Sequence, residues 1–94
     1  MELSIIIVNY NTGKLVKTCL EKILKDTKDL TAPNSEIIIV DNCSTIDPID
    51  ESWIPVTKNV TLIKNRENIG YSKANNQALR IARGKHYLLL NSDT

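Results

Sequence analysis

Three polar clusters contain the residues of this 94-residue chain that could do chemistry. They are Asn9-Tyr10-Asn11, Asp41-Asn42-Cys43-Ser44 and Asn91-Ser92-Asp93, and each follows an apolar run. Strands often end in Asn, Asp and Ser because these residues favour turns, so a single cluster indicates no more than a turn. In a parallel sheet, however, the carboxyl ends of the strands share one edge, where ligands bind. Taken together, the three clusters predict a binding site.

The residue types in these clusters suit a nucleotide and a metal ion. Asp93 offers a carboxylate oxygen of the kind that Mg²⁺ or Mn²⁺ takes, with phosphates completing the coordination shell. Asp41 could accept a hydrogen bond from a base N–H or a ribose hydroxyl, and Tyr10 could lay its ring against a base. The chain contains no G-x-G-x-x-G and no G-x-x-x-x-G-K-[ST] sequence, which counts against a dinucleotide-binding Rossmann domain and a P-loop NTPase.

Four apolar runs predict the strands that would carry these clusters. The first two are β-branched and apolar on both faces, which is typical of strands buried on both sides of a parallel sheet. The third alternates between apolar and polar residues and so is expected nearer an edge. The four predicted strands span residues 3–8, 36–40, 59–64 and 86–90.

Apolar residues at helical spacing predict two helices between these strands, over roughly 13–27 and over 71–83. Asn11 or Thr12 could cap the first helix. Gly84 suits the stop of the second helix, whose packing face is expected to carry Ala74, Ala78, Ile81 and Ala82. Two prolines in 46–58 leave room there for no more than a turn of helix, around 50–53. The order β-α-β-β-α-β predicts a three-layer α/β/α, mostly parallel, Rossmann-like sheet of about four strands.

Composition excludes several classes of protein. A net charge of +1 and an aromatic content of 4% give no support for nucleic acid as a partner. Cys19 and Cys43 have no close metal-ligand spacing, so they are expected to be reduced thiols of an intracellular protein. No signal peptide is visible and no apolar run reaches membrane-spanning length, so we expect a cytoplasmic chain without a membrane segment. The full-length protein could still be membrane-associated.

Four segments resemble the N-terminal half of a family 2 glycosyltransferase with the GT-A fold. They span residues 4–11, 36–45, 67–71 with 74–76, and 88–94, in the family's order, and cover nearly the whole chain. The resemblance implies that residues 1–94 are the N-terminal part of a GT-A domain, ending just after the metal motif. Asn91 stands at the first position of the usual Asp-x-Asp motif, as is frequent in the rhamnosyltransferase-like branch.

The resemblance also implies a donor, a cofactor and a set of site residues. The donor would be a nucleotide-diphospho-sugar, and the cofactor a divalent cation, Mg²⁺ or Mn²⁺, bound by Asp93. The residues expected to bind the nucleotide sugar are Val8, Asn9, Tyr10, Asn11, Asp41, Asn68, Gly70, Asn75 and Asn91. The full-length enzyme would transfer a sugar to an acceptor hydroxyl in glycan or cell-surface polysaccharide synthesis. No residue of this chain can be assigned as the catalytic base.

Two other functions remain open from the sequence. The chain could be a non-catalytic fragment that serves as an interaction or assembly module. A nucleotidyltransferase-like domain is a weaker alternative, because the glycine-rich basic loop expected after the first strand is reduced to Gly13 and Lys14. A GT-A sheet continues beyond a fourth strand, so this chain is expected to leave a strand edge and an apolar helix face uncovered. Uncovered edges pair with other chains, which predicts self-association.

Overall fold

A computed structural model of the chain describes residues 2–26, 35–54 and 59–91. Strands and helices follow one another in the predicted order, and a short 3₁₀ turn over Glu51–Trp53 stands where a single helical turn was expected. Asp50 caps this turn by accepting a hydrogen bond from the backbone N–H of Ser52. The main elements are β1 (Leu3–Asn9), α1 (Gly13–Asp26), β2 (Ser35–Asp41), β3 (Val60–Lys64), α2 (Tyr71–Ile81) and β4 (His86–Asn91).

The four strands form one sheet in the order β3-β2-β1-β4, and every strand pair is parallel. This arrangement confirms the predicted sheet and places β3 at an edge, as its alternating pattern indicated. The register pairs Asn9 with Asp41 and Val8 with Asn91. The carboxyl ends of β1, β2 and β4 therefore lie side by side at one edge.

Each face of the sheet packs against one helix, which confirms the three layers. Successive side chains of a strand point to opposite faces, so the isoleucines of β1 and β2 divide between two cores. On one face, Ile5 and Ile7 pack with Val16 and Leu20 of α1. On the other, Ile6, Val8, Ile38 and Val40 pack with Ala74 and Ala78 of α2. The two alanines have no exposed surface, and their small size lets the helix lie close to the sheet.

The end of α2 differs from the prediction. The helix ends at Ile81 rather than at residue 83, because Ala82 is extended and the backbone N–H of Arg83 donates to Oε2 of Glu36 at 2.6 Å. Ile81 was expected on the packing face but is 47% exposed. Gly84 serves a purpose other than a helix stop. A Cβ at this position would lie 2.6 Å from both N and Oγ of Ser4, so the glycine permits a close backbone approach.

A buried carboxylate joins the amino-terminal edge of the sheet to the segment that follows α2. Glu36 is only 4% exposed, and its Oε2 accepts hydrogen bonds from Ser4 Oγ and from the N–H of Arg83, each at 2.6 Å. Ser4 Oγ in turn accepts from the N–H of Gly84 at 2.9 Å. The exposed Arg83 side chain adds an ion pair to this buried carboxylate, with Nε 3.7 Å from Oε1 of Glu36. This network fixes the path from α2 into β4.

We predict that Glu36→Ala destabilises the fold strongly. The substitution leaves the buried Ser4 hydroxyl and the Arg83 N–H without an acceptor, and each such group costs about 1–3 kcal/mol. The matched control is Glu21→Ala, since Glu21 is exposed and its ion pair with Lys17 spans 3.9 Å. Urea denaturation followed by circular dichroism should give a clearly lower free energy of unfolding for Glu36→Ala than for Glu21→Ala. Equal values for the two variants would contradict the assigned role of Glu36.

Candidate functional site

Polar side chains from β1 and β2 meet at the carboxyl edge of the sheet, as the sequence predicted. Asn9 Nδ2 donates to Asp41 Oδ1 at 3.0 Å across the paired strand ends. Asn91 ends β4 beside Val8 at the same edge, but its side chain lies outside what the structure describes. Ser92 and Asp93 also lie outside the described residues. The geometry of the site therefore rests on the clusters that follow β1 and β2.

Asp41 is held through one of its two carboxylate oxygens. Oδ1 accepts from Asn9 Nδ2 and from Ser44 Oγ, the latter at 2.5 Å. No described residue donates a hydrogen bond to Oδ2. Oδ2 keeps some accessible surface, since Gln77 Oε1 is the side-chain atom that is both enclosed and unpaired among the described residues. Asp41 thus combines a buried, fixed side chain with one open acceptor atom.

Asn9 lies beneath the site and is fully engaged by neighbouring residues. It has no exposed surface. Its Nδ2 contacts Asp41 Oδ1, Ser44 Oγ and, at 3.4 Å, the carbonyl oxygen of Asp47. Its Oδ1 accepts from the N–H of Thr12 at 2.9 Å and from the Thr12 hydroxyl at 2.6 Å. Asn9 therefore supports the surface of the site from below.

Asn11 holds the loop that follows β2. Its backbone is left-handed, with φ at 57°, a conformation that Asn tolerates better than most residues. Its Oδ1 faces three consecutive backbone N–H groups, those of Thr45, Ile46 and Asp47, at 3.1, 3.0 and 3.4 Å. One side chain thus satisfies three donors, and it fixes the loop after Asp41 against the loop after β1.

Asp47 joins this loop to the beginning of α1. Its carbonyl oxygen accepts from the N–H of Gly13 at 3.0 Å, and its Oδ2 accepts from the N–H of Lys14 at 3.2 Å. Carboxylates at a helix N-terminus satisfy unpaired N–H groups and complement the helix dipole. Only glycine fits at position 13, because a Cβ there would lie 2.2 Å from the carbonyl oxygen of Pro48.

A second loop, before α2, is attached to the end of β2 by Asn42. Asn42 is 2% exposed and donates from Nδ2 to the carbonyl oxygen of Gly70 at 3.2 Å. Its Oδ1 accepts from Asn65 Nδ2 at 3.0 Å and faces the N–H of Ile69 at 3.4 Å. Asn68 Oδ1 accepts from the N–H of Gly70 at 2.9 Å. The loop is thereby fixed relative to Asp41.

Gly70 opens α2 in a conformation that other residues adopt with strain. Its φ is 87°, and no atom lies within 4 Å of where a Cβ would stand, so conformation rather than space favours glycine. As the N-cap residue, Gly70 offers no side-chain hydrogen bond to the first turn of the helix. The backbone N–H groups of the first turn of α2 accordingly remain available to an anion.

The predicted site residues thus fall into distinct groups. Asp41 presents an acceptor, and Tyr10, which follows the Asn9 paired with Asp41, is 51% exposed. Val8 belongs to the core on the α2 face. Asn75 is 6% exposed and donates from Nδ2 to the carbonyl oxygen of Tyr71 within α2. The ligand-binding roles of these residues stay predictions.

Ser44 and Asn42 carry structural roles that the sequence did not reveal. Both belong to the polar cluster after β2, but the cluster alone gave no reason to separate them from turn-forming residues. Their partners lie far along the chain: Ser44 contacts the residues of 9–11, and Asn42 contacts those of 65–70. Knowledge of the strand register would have been needed to identify them.

The described residues supply no complete metal site. Among them, no three His, Cys, Asp or Glu side chains gather closely enough to hold a metal ion. The carboxylate expected to bind the metal, Asp93, lies outside the described residues. One carboxylate with the oxygens of a bound diphosphate would make a hard oxygen donor set of the kind that Mg²⁺ accepts. In the part of the chain that the structure describes, no helix is long and apolar enough to cross a membrane.

The fold and this edge define a class of parallel α/β domain that binds its ligand at the carboxyl ends of the strands. The family model for glycosyl transferase family 2 matches residues 4–94. The chain therefore belongs to glycosyl transferase family 2, as its motifs suggested. The rhamnosyltransferase-like branch stays a prediction.

Individual relatives agree with this assignment. An Escherichia coli UDP-Glc:α-D-GlcNAc-diphosphoundecaprenol β-1,3-glucosyltransferase is 38% identical over 99% of this chain, which spans 36% of that protein. Among solved structures, S. aureus TarS in complex with UDP-GlcNAc superimposes with a TM-score of 0.80 at 28% identity, over 99% of this chain and 27% of that one.

A mannosyltransferase from Pyrobaculum calidifontis, in complex with GDP-Man and Mn²⁺, gives a TM-score of 0.73 at 25% identity, over 98% of this chain and 27% of that one. These similarities confirm the GT-A fold. The chain spans between 15% and 36% of the length of the curated relatives it matches.

Proposed function

We propose that this chain is the donor-binding part of a glycosyltransferase that uses a nucleotide-diphospho-sugar. The observation that carries the proposal is the open acceptor of Asp41, on a carboxylate fixed by Asn9 and Ser44. A hydrogen-bonding group that is held rigidly at a strand end suits the recognition of a nucleobase edge or a ribose hydroxyl. The longer enzyme would transfer the sugar to an acceptor hydroxyl in polysaccharide synthesis.

The neighbouring groups complete the proposed donor pocket. The exposed ring of Tyr10 would lie against the base. The free N–H groups at the start of α2, beside Gly70 and Asn68, would face a phosphate or the sugar. Asn9 and Asn11 would act indirectly, because their side-chain oxygens are committed to backbone and hydroxyl groups of the chain. Relatives with bound UDP-GlcNAc and GDP-Man support this type of donor.

We propose Asp93 as the ligand of a divalent cation, Mg²⁺ or Mn²⁺. The mannosyltransferase complex that contains Mn²⁺ supports this cofactor. When bound, the cation would neutralise the negative charge of the nucleoside diphosphate and so favour its departure from the sugar. Asn91 contributes no charge at the other end of the motif, so the carboxylate of Asp93 would supply the protein's main attraction for the cation.

We predict that Asp41→Asn weakens the binding of UDP by the 94-residue chain by about tenfold. The substitution keeps the shape of the side chain but removes its charge and turns one oxygen into a donor, and a tenfold change corresponds to about 1.4 kcal/mol. Asp50→Asn is the matched control, because Asp50 is exposed and its remaining oxygen can still cap the 3₁₀ turn. Calorimetric titration with UDP measures both. Unchanged affinity in Asp41→Asn, or no saturable binding by the unaltered chain, would refute the donor-binding proposal.

Asp93→Asn should remove the dependence of UDP binding on metal. We expect Mn²⁺ to strengthen UDP binding by the unaltered chain, and to have little effect on Asp93→Asn. In the absence of Mn²⁺ the two proteins should bind UDP alike, because Asp93 would act only through the cation. Parallel titrations with Mn²⁺ and with excess chelator measure this difference. An equal gain from Mn²⁺ in both proteins would rule out Asp93 as the ligand.

A second function, as an interaction module, has one observation in its favour. Strand β4 is an edge of the described sheet, and its side chains Tyr87, Leu88 and Leu89 are 52%, 44% and 47% exposed. An exposed apolar edge strand is a template for pairing with another strand. We propose that the 94-residue chain self-associates through β4.

This association predicts a concentration-dependent sedimentation coefficient for the 94-residue chain. Leu89→Lys should shift the equilibrium toward the monomer, because a charge on an edge strand opposes pairing. Thr61→Lys serves as the control, since it places a lysine at an exposed position of the opposite edge strand, β3. Sedimentation velocity over a hundredfold range of concentration measures the effect. A chain that stays monomeric throughout would contradict the association.

A further inference from the structure

We propose that Ser44 is a positioning residue that makes donor binding selective for nucleobases carrying a ring N–H, an inference that rests on the donor-binding function proposed above. Ser44 would act through Asp41 rather than through a contact of its own with the base. The argument depends on the direction of each hydrogen bond around the Ser44 hydroxyl and on which carboxylate oxygen of Asp41 these bonds occupy.

The direction of the hydrogen bonds at Ser44 is fixed by its neighbours. The backbone N–H of Asn11 can only donate, and it reaches Ser44 Oγ at 2.8 Å. Asn9 also presents a donor to Ser44, at 3.1 Å, because the opposite end of the Asn9 amide accepts from the backbone N–H of Thr12. A hydroxyl has two lone pairs and one hydrogen. With both lone pairs occupied, the hydrogen of Ser44 must be donated to Asp41 Oδ1.

Asp41 therefore receives two donors on the same oxygen, from Asn9 and from Ser44. Two hydrogen bonds to Oδ1 from different directions fix the rotation of the carboxylate about its Cβ–Cγ bond. Oδ2 consequently stands in one place, as an acceptor without a partner among the described residues. Asp41 as a whole is 4% exposed, so a ligand can approach this acceptor only over a narrow range of directions.

A fixed acceptor discriminates between two classes of base. Uracil and guanine carry a hydrogen on a ring nitrogen of their pairing edge, whereas cytosine and adenine have a lone pair there. The first class donates to the carboxylate, and the second places an acceptor against an acceptor. A site built around one buried polar group rejects the ligand that leaves this group unpaired. The selectivity requires that the carboxylate cannot turn toward the exocyclic amino group of the second class.

Loss of the Ser44 hydroxyl should allow that rotation. Asn9 alone would hold Oδ1 through a single hydrogen bond, and the carboxylate could turn toward the amino group of cytosine. The predicted effect is therefore a change in selectivity. A residue that merely supported the loop would weaken the binding of both classes of base equally.

The test compares UDP with CDP as probes, by calorimetric titration of the 94-residue chain in the presence of Mn²⁺. The unaltered chain should prefer UDP. In Ser44→Ala we expect UDP to bind about tenfold more weakly and CDP to bind as well as before or better, so the selectivity falls by tenfold or more, and a tenfold fall corresponds to about 1.4 kcal/mol. Ser44→Thr retains the hydroxyl and should retain the selectivity. Thr45→Ala, which removes an exposed neighbouring hydroxyl, should bind both nucleotides as the unaltered chain does.

An unchanged ratio of UDP to CDP affinity in Ser44→Ala overturns the proposal, as does a Ser44→Thr variant that behaves like Ser44→Ala. Equal binding of UDP and CDP by the unaltered chain also overturns it.

If Ser44→Ala fails to fold, Ser44→Cys replaces it, because a thiol of similar size is a weak donor and acceptor and should lower the ratio in the same direction. If the unaltered chain binds no nucleotide, donor binding itself is refuted. If UDP binding depends on Asp41 but the ratio of UDP to CDP affinity is the same with and without the Ser44 hydroxyl, only the positioning role of Ser44 is refuted.

Discussion

The hydrogen bond from Asn9 to Asp41 is the constraint on which the candidate site depends. It joins the last residues of two adjacent parallel strands, at a point where the backbone ladder ends and loops of different direction begin. Both residues are almost fully buried, so neither side chain can exchange this partner for water at low cost. The pairing therefore fixes the positions from which the loops after β1 and β2 start, and with them the acceptor of Asp41.

Side-chain amides then fix the loops that follow the strand ends. Asn11 satisfies three N–H groups of the loop after β2, and Asn42 holds the loop before α2 through Gly70. An amide suits this task because it offers donors and an acceptor without a charge, so it can be buried among backbone groups when all of them are paired. The loops at this edge are consequently arranged by the strands beneath them. A ligand site on such loops can be rigid although it contains little regular structure.

The sequence predicted the parts of the fold that depend on local pattern. β1 and β2 are identifiable because isoleucine and valine occupy both faces of each strand, which only a sheet covered on both sides accommodates. The alanines of α2 likewise indicated close packing before any contact was known. The end of α2 was predicted wrongly because the N–H of Arg83 is taken by Glu36, which is 47 residues distant in sequence. A local sequence pattern contains no information about a hydrogen-bond acceptor so far away in the chain.

The candidate site also has a part that the sequence predicted and a part that it did not. The polar clusters after β1 and β2 were expected to converge, and the register of parallel strands brings Asn9 and Asp41 together as expected. The distinction between Asp41, which keeps an open acceptor, and Asn9, which keeps none, could not be read from residue type. This distinction depends on which atoms each side chain contacts. The contacting residues belong to loops, and the sequence pattern predicts only that these loops are polar. Residue type likewise did not reveal the contacts of two other predicted donor-binding residues: Val8 packs in the core on the α2 face, and Asn75 bonds within α2.

The arrangement also separates two kinds of recognition. The described part of the edge provides neutral donors and, in Asp41, a carboxylate with an unpaired acceptor, which suits a base and a ribose but gives little attraction for the charge of a diphosphate. Two features could supply that attraction: the free N–H groups that open α2, and a cation bound by Asp93. The first belongs to a loop held by Asn42, and the second would depend on the residues that follow β4. Because β4 pairs directly with β1, the end of β4 has its position set by the same strand that holds Asp41. The acceptor for the base at the end of β2 and a cation at the end of β4 would therefore be positioned from opposite sides of β1, and a change in the carboxyl end of β1 should disturb both.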